Sequence, residues 1–150
     1  MTQQEYATYR AGSERDYAQE MADSGQLDLD AAVRRAAVEF AELLPDGLDS
    51  PGMHLWTAEA GDHAEPVGLG WIELRQRASE VSAWVYDVKV DASRRRQGLG
   101  RGLMEALHDA ARELGATSIS LNVFGHNTTA IHLYDSLGYA VTAQQMKRDL

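Results

Sequence analysis

The sequence predicts an α/β fold, read as one domain over residues 1–150, on three observations. Residues 6–43 return apolar side chains at helical spacing. Residues 54–90 hold three short stretches rich in β-formers. The last of these runs through a glycine- and arginine-rich loop into a helical stripe. Composition agrees, because 44% hydrophobic and 25% charged residues suit a globular chain and not a disordered or collagen-like one. A length of 150 residues is enough to bury roughly two-thirds of the unfolded surface in a single core.

Tyr6, Tyr9, Tyr17 and Met21 mark a first helix that Asp23-Ser24-Gly25 stops. Leu29, Val33, Ala36, Phe40 and Leu43 mark a second, with Asp28 or Asp30 as its cap and Pro45-Asp46-Gly47 as its break. Residues 54–59 and 67–74 read as two strands joined by the loop from Gly61 to Pro66. Residues 81–90 are apolar at both alternating sets of positions: Val81, Ala83 and Val85 on one, Trp84, Tyr86, Val88 and Val90 on the other. That pattern predicts a central strand buried on both faces. Leu103, Met104, Leu107, Ala111 and Leu114 form a helix stripe closed by Gly115. Ile119, Leu121 and Val123 alternate as a further strand, residues 127–137 closed by Gly138 make the last helix, and residues 139–150 have room for one or two final strands.

Charge excludes some functions. The formal net charge of −9 repels polyanions, so neither DNA, RNA nor an acidic membrane surface is expected as a partner. The chain has no cysteine, which removes disulfides, thiolate metal ligands and a thiol nucleophile. Its five histidines, His54, His63, His108, His126 and His132, form no recognised metal spacing. The opening decapeptide is too polar for a signal-peptide core, and no apolar run reaches the roughly 18 residues that span a bilayer, so a cytoplasmic protein is expected.

The most informative stretch joins the third strand to the next helix: Val88-Lys89-Val90-Asp91-Ala92-Ser93-Arg94-Arg95-Arg96-Gln97-Gly98-Leu99-Gly100-Arg101-Gly102. Such a junction aims free N–H groups and the positive end of the helix dipole at one point, which suits a phosphate. Glycines at 98, 100 and 102 clear Cβ atoms from its approach. Four of the 14 basic residues, Arg94, Arg95, Arg96 and Arg101, fall within positions 94–101 of an otherwise acidic chain, which points to a small anionic ligand. The loop lacks the Gly-Lys-Ser/Thr of a Walker motif, and it reads GxGxG where a dinucleotide fingerprint needs GxGxxG.

Residues 95–102 resemble the acetyl-CoA signature of the GNAT family of N-acetyltransferases: glutamine or arginine, two residues, glycine, one residue, then glycine or alanine. Gln97-Gly98-Leu99-Gly100-Arg101-Gly102 meets it. A second segment, from Asn127 through Ala130, Leu133 and Tyr134 to Gly138-Tyr139, is similar to the family's N-x-x-A-x-x-L-Y-x-x-x-G-F/Y motif and stands in the right order. The motif-bearing part spans about residues 67–150 and the resemblance is firm from Trp71 to the closing Met146-Lys147-Arg148-Asp149-Leu150. Leu44-Pro45, His54-Leu55-Trp56 and Val123-Phe124-Gly125-His126-Asn127 further resemble a bacterial branch of the family.

The resemblance implies a mixed, largely antiparallel sheet flanked by about four helices, with the strands carrying Val88 and Val123 splayed apart. Acetyl-CoA would be the co-substrate, with no metal: acetyl-pantetheine in the gap, pyrophosphate at the loop. The implied binding set is Val88, Lys89 and Val90 through their backbone, Arg95, Arg96, Gln97, Gly98, Leu99, Gly100, Arg101 and Gly102 in the loop, then Asn127 and Tyr134. The implied reaction is sequential transfer in a ternary complex to the primary amine of a small molecule or peptide, and homodimers are common in the family. The competing reading is a module that holds acetyl-CoA as a sensor without turnover.

Attack by an amine on a thioester needs a neutral amine, donors for the developing oxyanion and a proton for the departing thiolate. Asp87 is the candidate base: it interrupts an apolar strand, where desolvation raises a carboxylate's proton affinity. Tyr86-Asp87-Val88-Lys89-Val90 also resembles a segment of aminoglycoside-type members in which the aspartate is proposed as base. A structural aspartate, paired with an arginine or capping backbone, is the alternative. Glu59 and Glu73, on neighbouring strands, are reserves. Tyr134 is the general acid that the resemblance implies, whereas its place in the stripe of Ala130, Leu133 and Leu137 also fits a core residue. Backbone N–H groups near residues 88–90 are the implied pantetheine partners, and Asn127 is both a helix cap and a candidate contact.

Overall fold

The computed structural model describes residues 1–25, 27–146 and 148. In chain order it has α1 (Gln3–Asp23), α2 (Leu29–Leu43), β1 (Met53–Ala60), β2 (Glu65–Arg77), β3 (Glu80–Val90), α3 (Leu99–Glu113), β4 (Ser118–Leu121) and α4 (Thr128–Ser136), with short 3-10 turns at Gly47–Asp49 and Ala92–Arg94.

Thr2 and Glu5 start α1 with a reciprocal capping box, the Thr2 N–H donating to Glu5 at 2.6 Å and the Glu5 N–H to Thr2 Oγ1 at 3.3 Å. Asp28, rather than Asp30, caps α2 by accepting from the Ala31 N–H at 2.8 Å. The buried face of α2 is Ala32, Ala36 and Phe40, not the full expected stripe, and Leu29 and Val33 are each 49% exposed. The reason lies in the partner: α1 and α2 meet through Ala18, Met21, Ala32 and Ala36, and small side chains that let two helices approach leave larger neighbours at the rim.

The sheet order is β1-β2-β3-β4, antiparallel in its first two pairings and parallel between β3 and β4. The mixed, largely antiparallel sheet flanked by four helices therefore matches expectation. One face packs against α1 and α2 through Tyr6, Tyr9, Phe40, Leu44, Leu55 and Trp71. The other packs against α3 through Ile72, Ala83, Val85, Met104, Leu107 and Ala111. Adjacent Trp71 and Ile72 serve opposite faces, as the two-residue pleat requires. At Gly68 a Cβ would lie 2.1 Å from the Lys89 carbonyl oxygen, so the close approach of β2 to β3 there depends on glycine.

Two features of β3, a bulge and an early end to its pairing with β4, set where its side chains point. Trp71 pairs with Asp87 while Ile72 pairs with Val85, so Tyr86 is an extra residue and the strand bulges. Beyond the bulge the alternation reverses. Val85 packs toward α3, whereas Tyr86 stacks on Trp71 with centroids 4.6 Å apart and Asp87 bonds to α1. Asp87 thus leaves the Val81-Ala83-Val85 face on which sequence alternation put it. The face opposite Ala83 and Val85 is only partly buried, not fully as expected. Pairing of β3 with β4 runs from Ser82↔Ser118 to Val85↔Leu121 and ends.

Downstream, β4 stops at Leu121, so the expected strand does not reach Val123, which is 37% exposed. Residues 139–146 hold no strand. Val141 and Met146 are 69% and 88% exposed, so their side chains gain no burial that would hold one. The rest of the closing motif, Lys147, Asp149 and Leu150, lies outside the described residues.

Candidate active site

Where β3 and β4 part, residues 87–90 of β3 pair with β2 alone, after the unpaired bulge residue Tyr86. This opening leads directly to the loop. After the Ala92–Arg94 turn, Arg96 at φ 61° and Gly98 at φ 80° swing the chain into α3. Gly98 is the N-cap, and its left-handed conformation is one that glycine adopts without strain. Its carbonyl accepts from the Arg101 N–H at 3.1 Å and the Gly102 N–H at 3.4 Å, and the N–H groups of Leu99 and Gly100 project from the helix start. A Cβ at Gly98 or Gly102 would meet nothing within 4 Å, whereas one at Gly100 would touch Leu133 Cδ2 at 3.5 Å. Space in front of the loop is thus open at 98 and 102, and Gly100 instead backs onto α4.

The basic residues of the loop divide into two groups. Arg94 pairs with Glu65 at 3.1 Å, Arg95 Nε donates to the Val90 carbonyl at 3.1 Å, and Arg101 donates to Ser136 Oγ at 2.6 Å while lying 3.8 Å from Glu105. These side chains brace the loop against β2, β3 and α4. Arg96 and Gln97 are exposed at its tip. On the strand, Val88 packs into the α3-side cluster and Lys89 forms an ion pair with Asp16 of α1, so what these residues offer to a ligand is backbone.

Asp87 is partly buried between β3 and α1. Its Oδ2 accepts from Tyr9 Oη at 3.1 Å and from Ser13 Oγ at 3.2 Å. Burial pushes its proton affinity above the ordinary carboxylate range, and the Tyr9 and Ser13 donors, the Lys89 charge and the Val88 N–H pull it back. No arginine is its partner among the described residues. Tyr134 stands on α4 within the α3-side cluster, its ring 5.5 Å from that of Tyr139. Its phenol is raised above its usual value by burial and then by the negative charge of Asp87. Asn127 caps α4, its Oδ1 accepting from the Ala130 N–H at 3.2 Å.

The reserve carboxylates stand elsewhere. Glu73 accepts from Arg75 Nε at 2.7 Å and Tyr86 Oη at 3.0 Å, in a cluster where Arg75 also stacks on Trp84. Glu59 is exposed on β1, the far edge of the sheet from the opening. His108 is held to Tyr139 at 2.9 Å. Tyr9 and Ser13, the partners of Asp87, were legible only as helix residues. The signal in the sequence is Ser13, a hydroxyl set at helical spacing between Tyr9 and Tyr17 in the stripe that α1 buries. No cluster of three or more potential metal ligands occurs among the described residues, and none of their helices is long and apolar enough to cross a membrane.

Comparison with known proteins agrees with this architecture. The model of the Acetyltransferase (GNAT) family matches residues 16–139. Over its full length the chain is 30% identical to the uncharacterized N-acetyltransferase YdgE of Bacillus subtilis (strain 168), covering 95% of that protein. It is 33% identical to the uncharacterized N-acetyltransferase YycN of the same organism, covering 96% of it. A crystal structure of YycN superposes with a TM-score of 0.94 at 31% identity, over 100% of this chain and 95% of that one. A shorter match, 42% identical over 57 residues and 38% of each chain, is to the [Ribosomal protein bS18]-alanine N-acetyltransferase of Escherichia coli (strain K12). With the family model covering most of the chain and two relatives aligned end to end, this protein is an N-acetyltransferase of the GNAT family.

Proposed function

We propose that the protein transfers the acetyl group of acetyl-CoA to a primary amine by direct attack, at the opening between β3 and β4. The observation that carries this reading is the loop at the start of α3, which follows directly on the stretch of β3 that β4 leaves unpaired and that carries Asp87; the Asp87 charge also acts on the Tyr134 phenol. The loop suits a pyrophosphate: a helix N-terminus of a 15-residue helix, a left-handed Gly98 with open space before it, and the exposed Arg96 and Gln97. Leu99 and Gly100 would donate their N–H groups to phosphate oxygens, and the backbone of residues 88–90, unpaired on the β4 side, would hold the pantetheine amides. Acetyl-CoA supplies the acetyl group as a thioester.

An alkyl amine is mostly protonated near neutrality, since a lysine amine has a reference pKa of about 10.4. Asp87 takes that proton, a role for which its raised proton affinity suits it. The amine nitrogen then bonds the acetyl carbon as the carbon–sulfur bond breaks, and Tyr134 gives its phenolic proton to the departing sulfur. The second proton, shed by the acylated nitrogen, restores the Tyr134 phenol, and the proton on Asp87 leaves to solvent. Its raised value keeps the phenol protonated for that step. Acceptors are small-molecule or peptide amines, the latter suggested by the shared segment with the ribosomal-protein alanine N-acetyltransferase.

A thiol-release assay with acetyl-CoA and a panel of amines, from polyamines to peptides with free N-termini, tests the proposal. Release that depends on an amine and disappears in Asp87→Asn is expected. No amine-dependent release across the panel would overturn it.

A further inference from the structure

Asp87 is held in an uncommon way for a carboxylate proposed as a base. Two hydroxyls from one helix, Tyr9 and Ser13, converge on the same oxygen, Oδ2, at 3.1 and 3.2 Å, and Oδ1 takes part in neither bond. Tyr9 and Ser13 are one helical turn apart, so α1 presents both to β3 together. They are 8% and 5% exposed. A buried serine inside a helix ordinarily returns its hydroxyl to the carbonyl four residues back, yet Ser13 reaches across to the sheet. The bulge at Tyr86 is what turns Asp87 toward them. Both residues also precede residue 16, where the match to the family model begins, so the contact is built from outside the matched segment.

We propose that Tyr9 and Ser13 are positioning residues of the active site: they tie Asp87 Oδ2 to α1, fix the direction of the carboxylate, and favour its anionic form, the one that accepts the proton of the incoming amine. This rests on the reading of Asp87 as the base. Burial and the Asp87 charge raise the Tyr9 phenol far above its ordinary value, so it stays protonated and donates at every working pH. Burial raises the proton affinity of Asp87 and these two donors lower it, with Lys89 as the nearby cation on the strand. The other charged or titratable groups around it are Tyr134 of α4, Glu20 and Asp16 of α1, the latter paired with Lys89, and His126 beside Glu20. Deleting either hydroxyl therefore moves the titration of Asp87 toward higher pH.

The experiment measures kcat/KM for the acceptor amine against pH, by thiol release from acetyl-CoA, in the native protein, Tyr9→Phe, Ser13→Ala and Asp87→Asn. Melting and acetyl-CoA binding are followed alongside. Both hydroxyl deletions should bind acetyl-CoA as the native protein does. At the acidic end their kcat/KM should fall about tenfold, the scale of one hydrogen bond to a charged group, and it should recover on the alkaline plateau. An acidic limb unmoved in both, with Asp87→Asn inactive, overturns the positioning role and leaves the base intact. Asp87→Asn with native turnover and an unchanged limb overturns the base reading and this proposal with it. Because the Tyr9 ring is also core, Ser13→Ala decides alone where Tyr9→Phe does not fold. A carbon-13 carboxylate titration of Asp87 in that variant must then shift to higher pH without any acceptor present; an unshifted titration rejects the proposal.

Discussion

Gly100→Asp separates ligand binding from folding because the structure gives the two effects opposite signs. Gly100 is the second residue of α3, and the new Cβ would stand 3.5 Å from Leu133 Cδ2, an ordinary contact that displaces nothing. An acidic side chain in the first turn interacts favourably with the helix dipole by about 0.3–1 kcal/mol, and replacing a helical glycine adds a few tenths more. The variant should therefore melt about 1–5 °C above the native protein. Acetyl-CoA faces the reverse. The new carboxylate hangs on the Leu133 side of the turn whose N–H groups would hold the pyrophosphate, so charge alone acts between them. Two like unit charges repel by about 1 kcal/mol in water and about 4 kcal/mol near a protein surface at about 4 Å, and less beyond it, and about 1.4 kcal/mol is tenfold in affinity. Titration calorimetry should show acetyl-CoA binding at least about tenfold weaker, with the melt confirming an intact fold. Native affinity in the folded variant would remove this loop as the phosphate site, and a clear loss of stability would refute the packing argument at Leu133.

Acetyl-CoA and coenzyme A should raise the melting temperature more than NAD or ATP at equal concentration, since a ligand bound only by the native state stabilises it by mass action; equal shifts would sink the choice of ligand. Tyr134→Phe keeps the ring in the cluster around Leu133 and Leu137, so stability should hardly move while kcat falls by about 10²-fold or more; near-native turnover would take Tyr134 out of the reaction. For Asp87, a native-state proton affinity raised above that of the unfolded chain means that its contribution to stability is present in acid and lost as pH rises through the native value. Asp87→Asn should accordingly melt higher than the native protein near neutrality, with the gain shrinking as pH falls, and a gain independent of pH would contradict the assigned burial. Gly68→Ala would drive a methyl group into the Lys89 carbonyl and should destabilise by about 1–3 kcal/mol, read as a drop in chemical-denaturation midpoint.

Local rules reached far in this chain where they act alone. Spacing alone located α1 to within a few residues of Gln3–Asp23 and α2 as Leu29–Leu43, because periodic apolar positions and a capping Asp28 both act within one or two turns. The loop at 94–102 was likewise readable, since strand, glycines and helix follow one another directly. Alternation failed at Asp87. A one-residue register slip against β2 is a property of two strands together, and no feature of β3 alone announces it. The same limit hid the bonds from Tyr9 and Ser13, which join residues 78 and 74 positions apart. Leu29 and Val33 were expected inside for a related reason: which side of α2 is covered depends on where α1 approaches, and the alanine seam of Ala18, Ala32 and Ala36 decides it.

The reading of acetyl transfer at the β3–β4 opening meets its most direct test in a crystal structure of the protein with coenzyme A. The expected result is pyrophosphate against the N–H groups at the start of α3, pantetheine along residues 86–90 of β3, and the sulfur near Tyr134 on the side toward Asp87. Coenzyme A bound away from that loop, or with its sulfur remote from both side chains, would contradict it.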